Sequence, residues 1–269
     1  MQSAAPAPDV HAAALAHRWP RRLWIVRHGE SAGNVARDAA EQGGELRIDI
    51  AYRDVDTPLS ALGEQQAAAL AHWFAQAPED ERPTVVLASP YVRALATARA
   101  IVDRCGELIE DPRVHADERL REKEFGILDR WTVKGIAHAH PDLAAQRRHV
   151  GKFYFRPPGG ESWCDVIQRL RSFVDCMRQD HPGERVLIVA HQVIVNCFRY
   201  LLEHLDEHAI LAIDRAADVP NCAVTTYAFD PALGKRGGMQ LVAANFVAPL
   251  VASHTPITTE PDLPVAPKA

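Results

Sequence analysis

Three short apolar runs, each stopped by a cluster of polar residues, constrain this chain more than anything else in it. They are Leu23-Trp24-Ile25-Val26, Thr84-Val85-Val86-Leu87-Ala88 and the segment 185–190. Each is long enough for a buried strand and too short for a helix. The clusters that follow are Arg27-His28-Gly29-Glu30-Ser31, Ser89-Pro90-Tyr91-Val92-Arg93 and His191-Gln192. Between the runs the pattern turns helical, at 62–74, 92–102, 162–177 and 193–202. In the third of these Val166, Ile167, Leu170, Phe173, Val174 and Met177 share one face. Two later strands are expected at 223–229 and 239–246. Strands alternating with helices predict an α/β fold, a three-layer α/β/α sandwich with a mostly parallel central sheet. In such sheets ligands bind beyond the carboxyl ends of the strands, where all three polar clusters fall.

Composition narrows the class. Thirty Lys and Arg against 35 Asp and Glu leave a formal charge of -5, without the basic surplus of a nucleic-acid binder. No stretch approaches the 18 apolar residues of a membrane span, so neither nucleic acid nor membrane is an expected partner. Eight of the 19 prolines stand in the first 20 and last 21 residues. Those ends are expected to be flexible tails, 1–20 and 249–269, around one catalytic domain at 21–248. Residues 1–20 lack the basic start and apolar core of a secretory signal. The five cysteines form no Cys-x-x-Cys pair. A cytoplasmic protein with reduced, packed thiols is the expectation.

Brought together at one sheet edge, Arg27, Arg93, His28 and His191 make a site for a phosphoryl group. Guanidinium forks match phosphate oxygens bidentately, and a neutral imidazole is a nucleophile. Such a pocket could accept the phosphoryl group covalently without a metal or other cofactor, because the arginines neutralise its oxygens. The leaving oxygen then needs an acid, for which Glu118, Glu122 and Glu124 are the candidates.

At this point the chain resembles the histidine phosphatase (phosphoglycerate mutase-like) superfamily. The matching motifs run in order from Leu23 to about Phe246. They are Arg27-His28-Gly29-Glu30-Ser31 with Asn34, Pro58-Leu59-Ser60 with Gly63 and Gln65-Gln66-Ala67, and Ser89-Pro90 with Arg93-Ala94 and Thr97-Ala98. Leu120-x-Glu122 before Phe125-Gly126, Gly160-Glu161-Ser162 and Val189-Ala190-His191 complete the order. The resemblance implies that His28 forms a phosphohistidine and that Arg27, Arg93 and His191 hold the phosphoryl oxygens. It selects Glu122 as the acid and places Ser31 and Asn34 at the substrate mouth, with Gln192 a further substrate-binding candidate.

Departures from the family pattern bear on the substrate. The His191-Gln192 pair and the segment 155–162 look more like the fructose-2,6-bisphosphatase branch. That branch has lysine and arginine where this chain has Gly159 and Asn196, so a sugar bisphosphate is not expected. The long insert of the glycolytic mutases has no counterpart between Glu122 and Glu161. Hydrolysis of a small phosphate ester is therefore the expected activity. A phosphoglycerate-type mutase and a phospho-ligand sensor with negligible turnover are the alternatives, and a homodimer is left open.

The connection 34–56 looks longer than usual and carries Arg37, Arg47 and Arg53. It reads either as a solvated loop or as a partial lid with an arginine for an anionic substrate. Phe153-Tyr154-Phe155 reads equally as an aromatic pocket wall or as residues buried under a loop. The pairs His204/His208 and His138/His140 have no third ligand at recognisable spacing, so no metal site is expected.

Overall fold

The computed structural model describes residues 18–259. In chain order the main elements are β1 (Arg22–Arg27), α1 (Ala32–Gly43), α2 (Ala61–Gln76), β2 (Val85–Ala88), α3 (Val92–Cys105) and β3 (Val114–Ala116). There follow α4 (Val133–Ala139), α5 (Pro141–Val150), α6 (Trp163–Asp180), β4 (Arg185–Ala190), α7 (Gln192–Leu202) and α8 (Glu207–Ala216). Last come β5 (Val224–Asp230), β6 (Gly238–Phe246) and α9 (Ala248–Ala252).

The sheet order is β3-β2-β4-β1-β5-β6. The four strands from β3 to β1 are parallel; β5 runs antiparallel to β1, and β6 antiparallel to β5. Alternation along each strand feeds two apolar layers. Leu23, Ile25, Val186 and Ile188 face α6 and α7, packing on Trp163, Leu170, Phe173 and Phe198. Trp24, Val26, Val86, Leu187 and Val189 face α2 and α3, packing on Leu70, Phe74, Ala98 and Ile101. Each large side chain so buried contributes about 1.5–3 kcal/mol. The result is the three-layer sandwich expected from the alternation of strands and helices.

Register decides where the chemistry lands. Arg27 lies opposite Ala190, and Ala88 lies opposite Val189. The three inner parallel strands, β2, β4 and β1, therefore finish level, and the polar residues after each of them meet at one edge.

Three expectations are corrected. The connection 34–56 is not loop throughout, because its first part belongs to α1. A capping box between Ser31 and Asn34 starts that helix, and Gly44, at φ 67°, ends it. With only Asn34 and Ala40 buried, α1 lacks the apolar stripe that periodicity detects. The C-terminal tail begins later than expected: α9 buries Leu250 in the second apolar layer. Beyond it, Asn221 N donates to Thr258 O at 2.9 Å, and Gln66 Nε2 donates to Pro256 O at 3.0 Å. One buried leucine and a set of hydrogen bonds hold a segment whose prolines suggested none. At the other end Pro20 is buried and Gly183 N donates to Trp19 O, so order begins before residue 21. The remainder of the two expected tails, 1–17 and 260–269, lies outside the described residues.

Candidate active site

His28 leaves the end of β1 with its backbone tied on both sides. Its N–H donates to Ala190 O at 2.9 Å, and its carbonyl accepts from Asn221 Nδ2 at 2.9 Å. The next turn is compressed. A Cβ on Gly29 would stand 2.5 Å from Gly63 O, and one on Gly63 would stand 1.9 Å from Glu30 O. Only glycine allows this approach of two backbones. The turn is braced by Thr97 Oγ1, which accepts from Gly29 N at 3.1 Å, and by Gln66 Oε1, which accepts from Glu30 N at 2.8 Å. Ser60 both caps α2 and donates to Glu30 Oε1 at 2.5 Å. The Leu-Ser-x-x-Gly and Gln66 motifs thus build the loop that carries His28.

The imidazole of His28 is buried, and its Nδ1–H donates to Gly29 O at 2.6 Å. That bond fixes the tautomer and leaves the lone pair on Nε2, which accepts from Arg93 Nε at 3.1 Å. Burial, then the charges of Arg93 and Arg27, hold its pKa well below the usual histidine value. The ring is neutral at pH 7 and presents a nucleophilic nitrogen.

The second histidine sits beneath it, with ring centroids 5.1 Å apart. His191 is fully buried, and burial followed by Arg93 lowers its pKa as well. Ser89 Oγ accepts from Tyr91 N at 3.3 Å and lies 2.8 Å from His191 Nε2. The hydroxyl oxygen has a second lone pair besides the one that accepts from Tyr91, so this bond is compatible with either tautomer of His191, whose other ring nitrogen is Nδ1. That Nδ1 has no hydrogen-bond partner among the described residues. His191 also precedes α7 without a side-chain cap, leaving the positive helix end facing the site.

Both arginines are buried and held. Arg27 Nη1 donates to Gln192 Oε1 at 2.8 Å and to Val219 O at 2.5 Å, while Gln192 Nε2 donates to Asp218 Oδ1 at 3.2 Å. Arg93 Nη1 donates to Asp54 O at 2.6 Å and pairs with Asp54 Oδ1 at 3.0 Å.

Of the three candidate acids, only Glu122 lines the cavity. Glu124 accepts from the Tyr91 hydroxyl at 3.0 Å, and Glu118 lies in a short 3-10 turn outside the cavity wall. The backbone around Glu122 is latched by Arg169, whose Nη2 donates to Glu122 O at 3.2 Å and whose Nη1 donates to Arg119 O. Arg169 is in turn held by Glu161, with Nε to Oε1 at 2.9 Å and Nη2 to Oε2 at 3.1 Å.

Arg27, His28, Ser31, Asn34, Arg93, Glu122 and Gln192 all line one cavity of about 90 Å³. Ser31 and Asn34 are engaged with each other: Ser31 Oγ donates to Asn34 Oδ1 at 2.7 Å, and Asn34 N donates back to Ser31 Oγ. Residues that sequence reasoning missed complete the walls, namely Ile48, Ile50, Tyr52 and Asp54 from one side and Phe125, Asp129 and Arg130 from the other. The aromatic walls are thus Tyr52 and Phe125. Phe153 and Phe155 are buried in separate apolar clusters, and Tyr154 is exposed. Of the three arginines at 34–56, Arg37 reaches the cavity. Arg47 stacks on Trp131 at 4.3 Å, and Arg53 pairs with Asp56 at the surface.

Residues 23–236 match the family model of the histidine phosphatase superfamily, branch 1. The chain belongs to that superfamily. A curated relative, the probable phosphoglycerate mutase GpmB of Yersinia enterocolitica, is 29% identical over 206 residues, 76% of this chain and 83% of the relative. Among solved structures, the mycobacterial glucosyl-3-phosphoglycerate phosphatase is 26% identical with a TM-score of 0.65, over 84% of this chain and 99% of that one. YhfR of Bacillus stearothermophilus is also 26% identical, with a TM-score of 0.66, over 85% and 98%. Among the described residues of this histidine phosphatase superfamily member, no helix is long and apolar enough to cross a membrane.

Proposed function

We infer that the protein hydrolyses a small phosphate monoester through a phosphohistidine on His28, without a metal. The carrying observation is the unprotonated Nε2 of a buried, neutral His28 in a cavity walled by two fixed arginines. The Nε2 lone pair attacks phosphorus, the ester P–O bond breaks, and the leaving oxygen takes a proton from Glu122. Glu122, now a carboxylate, takes a proton from water. The resulting oxygen bonds phosphorus, the P–N bond breaks and phosphate leaves. Arg27, Arg93, the N-terminus of α7 and His191 supply the positive charge and donors that the phosphoryl oxygens need. Gln192 acts on Arg27, holding its guanidinium in place. The narrow cavity favours a compact leaving group, against the several hundred Å³ typical of pockets for larger ligands. The named phosphatase among the structural relatives supports hydrolysis.

The test is release of phosphate from para-nitrophenyl phosphate in excess chelator by wild type and by His28→Ala. Wild type is expected to turn over, with a loss of about 10³-fold or more in the variant. Phosphate binding without release by wild type would overturn hydrolysis and leave transfer between substrate positions, as in a mutase, or phospho-ligand sensing.

A further inference from the structure

Asp54 stands on Arg93, one of the two cations of the phosphate site. It makes two different contacts there: its backbone carbonyl accepts from Nη1 at 2.6 Å, and its carboxylate pairs with the same nitrogen at 3.0 Å. The Arg93 side chain is 7% exposed, whereas that of Asp54 is 42% exposed at the rim of the cavity. The carbonyl contact, the Nε bond to His28 and the Tyr91 ring 5.0 Å from the guanidinium carbon hold Arg93 without the carboxylate. The carboxylate adds a negative charge on the group that must also meet a phosphoryl oxygen.

We propose that the Asp54 carboxylate is a resident competitor for Arg93, built in to weaken the hold on free phosphate and speed its departure. This rests on the phosphoryl-transfer reading above. In the resting site Arg93 Nε donates to His28 Nε2. Once Nε2 is bonded to phosphorus it accepts nothing, and that N–H turns to a phosphoryl oxygen. The carboxylate on Nη1 then either stays beside the phosphoryl group as a like charge or swings out to solvent, which its exposure allows. Both courses disfavour a bound anion. The cost falls hardest on free phosphate, which has only the groups that meet the phosphoryl oxygens to hold it. A substrate keeps its leaving-group contacts with Tyr52, Ile48 and Phe125 on the same cavity walls.

The backbone of the segment carrying Asp54 is pinned against the cavity, which keeps residue 54 beside Arg93. Thr132 Oγ1 donates to Glu45 O at 2.6 Å, Ile48 N donates to Arg130 O at 2.8 Å, and Arg130 Nη2 donates to Tyr52 O at 2.6 Å. Arg130 adopts φ 62°, a left-handed conformation in a non-glycine residue, and so serves as the clasp. Asp129, Arg37 and Arg130 share the rim with Asp54. Burial and then the Asp54 charge push the Asp129 carboxyl upward, so the two acids sense each other across the mouth.

The test compares wild type with Asp54→Asn and Asp54→Ala, both of which retain the backbone contact. Inorganic phosphate is the probe, by calorimetric titration and as an inhibitor of para-nitrophenyl phosphate hydrolysis. Both variants are expected to bind phosphate about tenfold more tightly, equivalent to about 1.4 kcal/mol. KM should fall, kcat should fall where release limits turnover, and thermal midpoints should show an intact fold. Phosphate affinity unchanged within twofold, or weakened, overturns the proposal while leaving hydrolysis intact. If wild type binds phosphate but releases none from the ester, hydrolysis falls and the titration still decides the role of Asp54. If no form, the Asp54 variants included, binds phosphate, the proposal falls and hydrolysis is judged by the ester assay alone.

Discussion

Removing Glu161 should destabilise the protein and slow it together, because one carboxylate holds both the fold and the acid. Its oxygens accept from Arg121 Nη2 at 2.8 Å, from Arg169 at 2.9 and 3.1 Å, and from Glu124 N at 3.1 Å. Side-chain exposure is 13% for Glu161 and 11% for Arg169, so the pair is close to buried. Glu161→Ala strands the Arg169 cation, a change worth about 3–5 kcal/mol in a buried pair. The residual exposure puts the expectation near about 3 kcal/mol, or a fall in Tm of about 6–12 °C. Glu161→Gln keeps one acceptor and should cost about 1–2 kcal/mol. Arg169 also fixes the backbone on either side of Glu122, so kcat should drop about tenfold or more with a smaller change in KM. The double variant Glu161→Ala/Arg169→Ala should lose less than the sum of the single losses, since no charge is left stranded. Burial would raise the Glu161 pKa, but the Arg169 hydrogen bonds prevail and lower it. Its contribution is therefore complete at neutral pH and is lost as pH falls below about 4. Urea denaturation across pH and steady-state kinetics measure all of this. Additive single effects, or a Glu161→Ala protein within about 0.5 kcal/mol of wild type, would refute the latch.

Gly63→Ala should lose about 3 kcal/mol and most activity, because its Cβ would fall 1.9 Å from Glu30 O; a wild-type urea midpoint with wild-type kcat would contradict the proposed squeeze. Thr258→Val removes the bonds to Asn221 and Gln66, each of which also braces the His28 turn. A loss of about 1–2 kcal/mol with a several-fold lower kcat is expected, read by denaturation and ester hydrolysis. His28 and His191 have depressed pKa values, through burial first and then Arg93, so the unfolded chain binds protons before the folded one does. Stability should fall as pH drops below about 6.5, with up to tenfold in the unfolding constant per pH unit for each ring. His28→Asn should show a shallower fall between pH 7.5 and 5.5, and parallel curves would count against this assignment.

The layers were legible because their signals are local. A buried parallel strand is a short run such as 185–190, and a helix against a sheet shows its stripe, as α6 does from Val166 to Met177. α1 shows no stripe, and its start is a side-chain reciprocity between Ser31 and Asn34 that composition does not flag. The segment 249–259 hides its order for a related reason. Proline content lowers the expected gain from burial, yet Leu250 and the hydrogen bonds of Thr258 supply it at single positions.

The site divides along the same line. His28, Arg27, Arg93 and His191 lie at or just beyond the ends of strands whose register is set by apolar pairing, so finding the strands finds the residues. Asn34 meets Ser31 at the i,i+3 spacing of a capping box, but Gln192 carries a polar group in the right place whose partner, Arg27, no spacing predicts. Asp54 is the extreme case. It is an ordinary acid in a polar stretch, 39 residues before Arg93, and its significance arises only because Arg130 and Thr132 clasp its segment onto the cavity. The proposed nucleophile and its charge environment follow from secondary structure, whereas the outer walls of the cavity follow from which loop is pinned to which. Relatives that keep the residues of the proposed mechanism are then expected to differ in substrate where the clasp differs. Exchanging residues 45–54 between two of them should transfer leaving-group preference without moving the pH dependence set around His28.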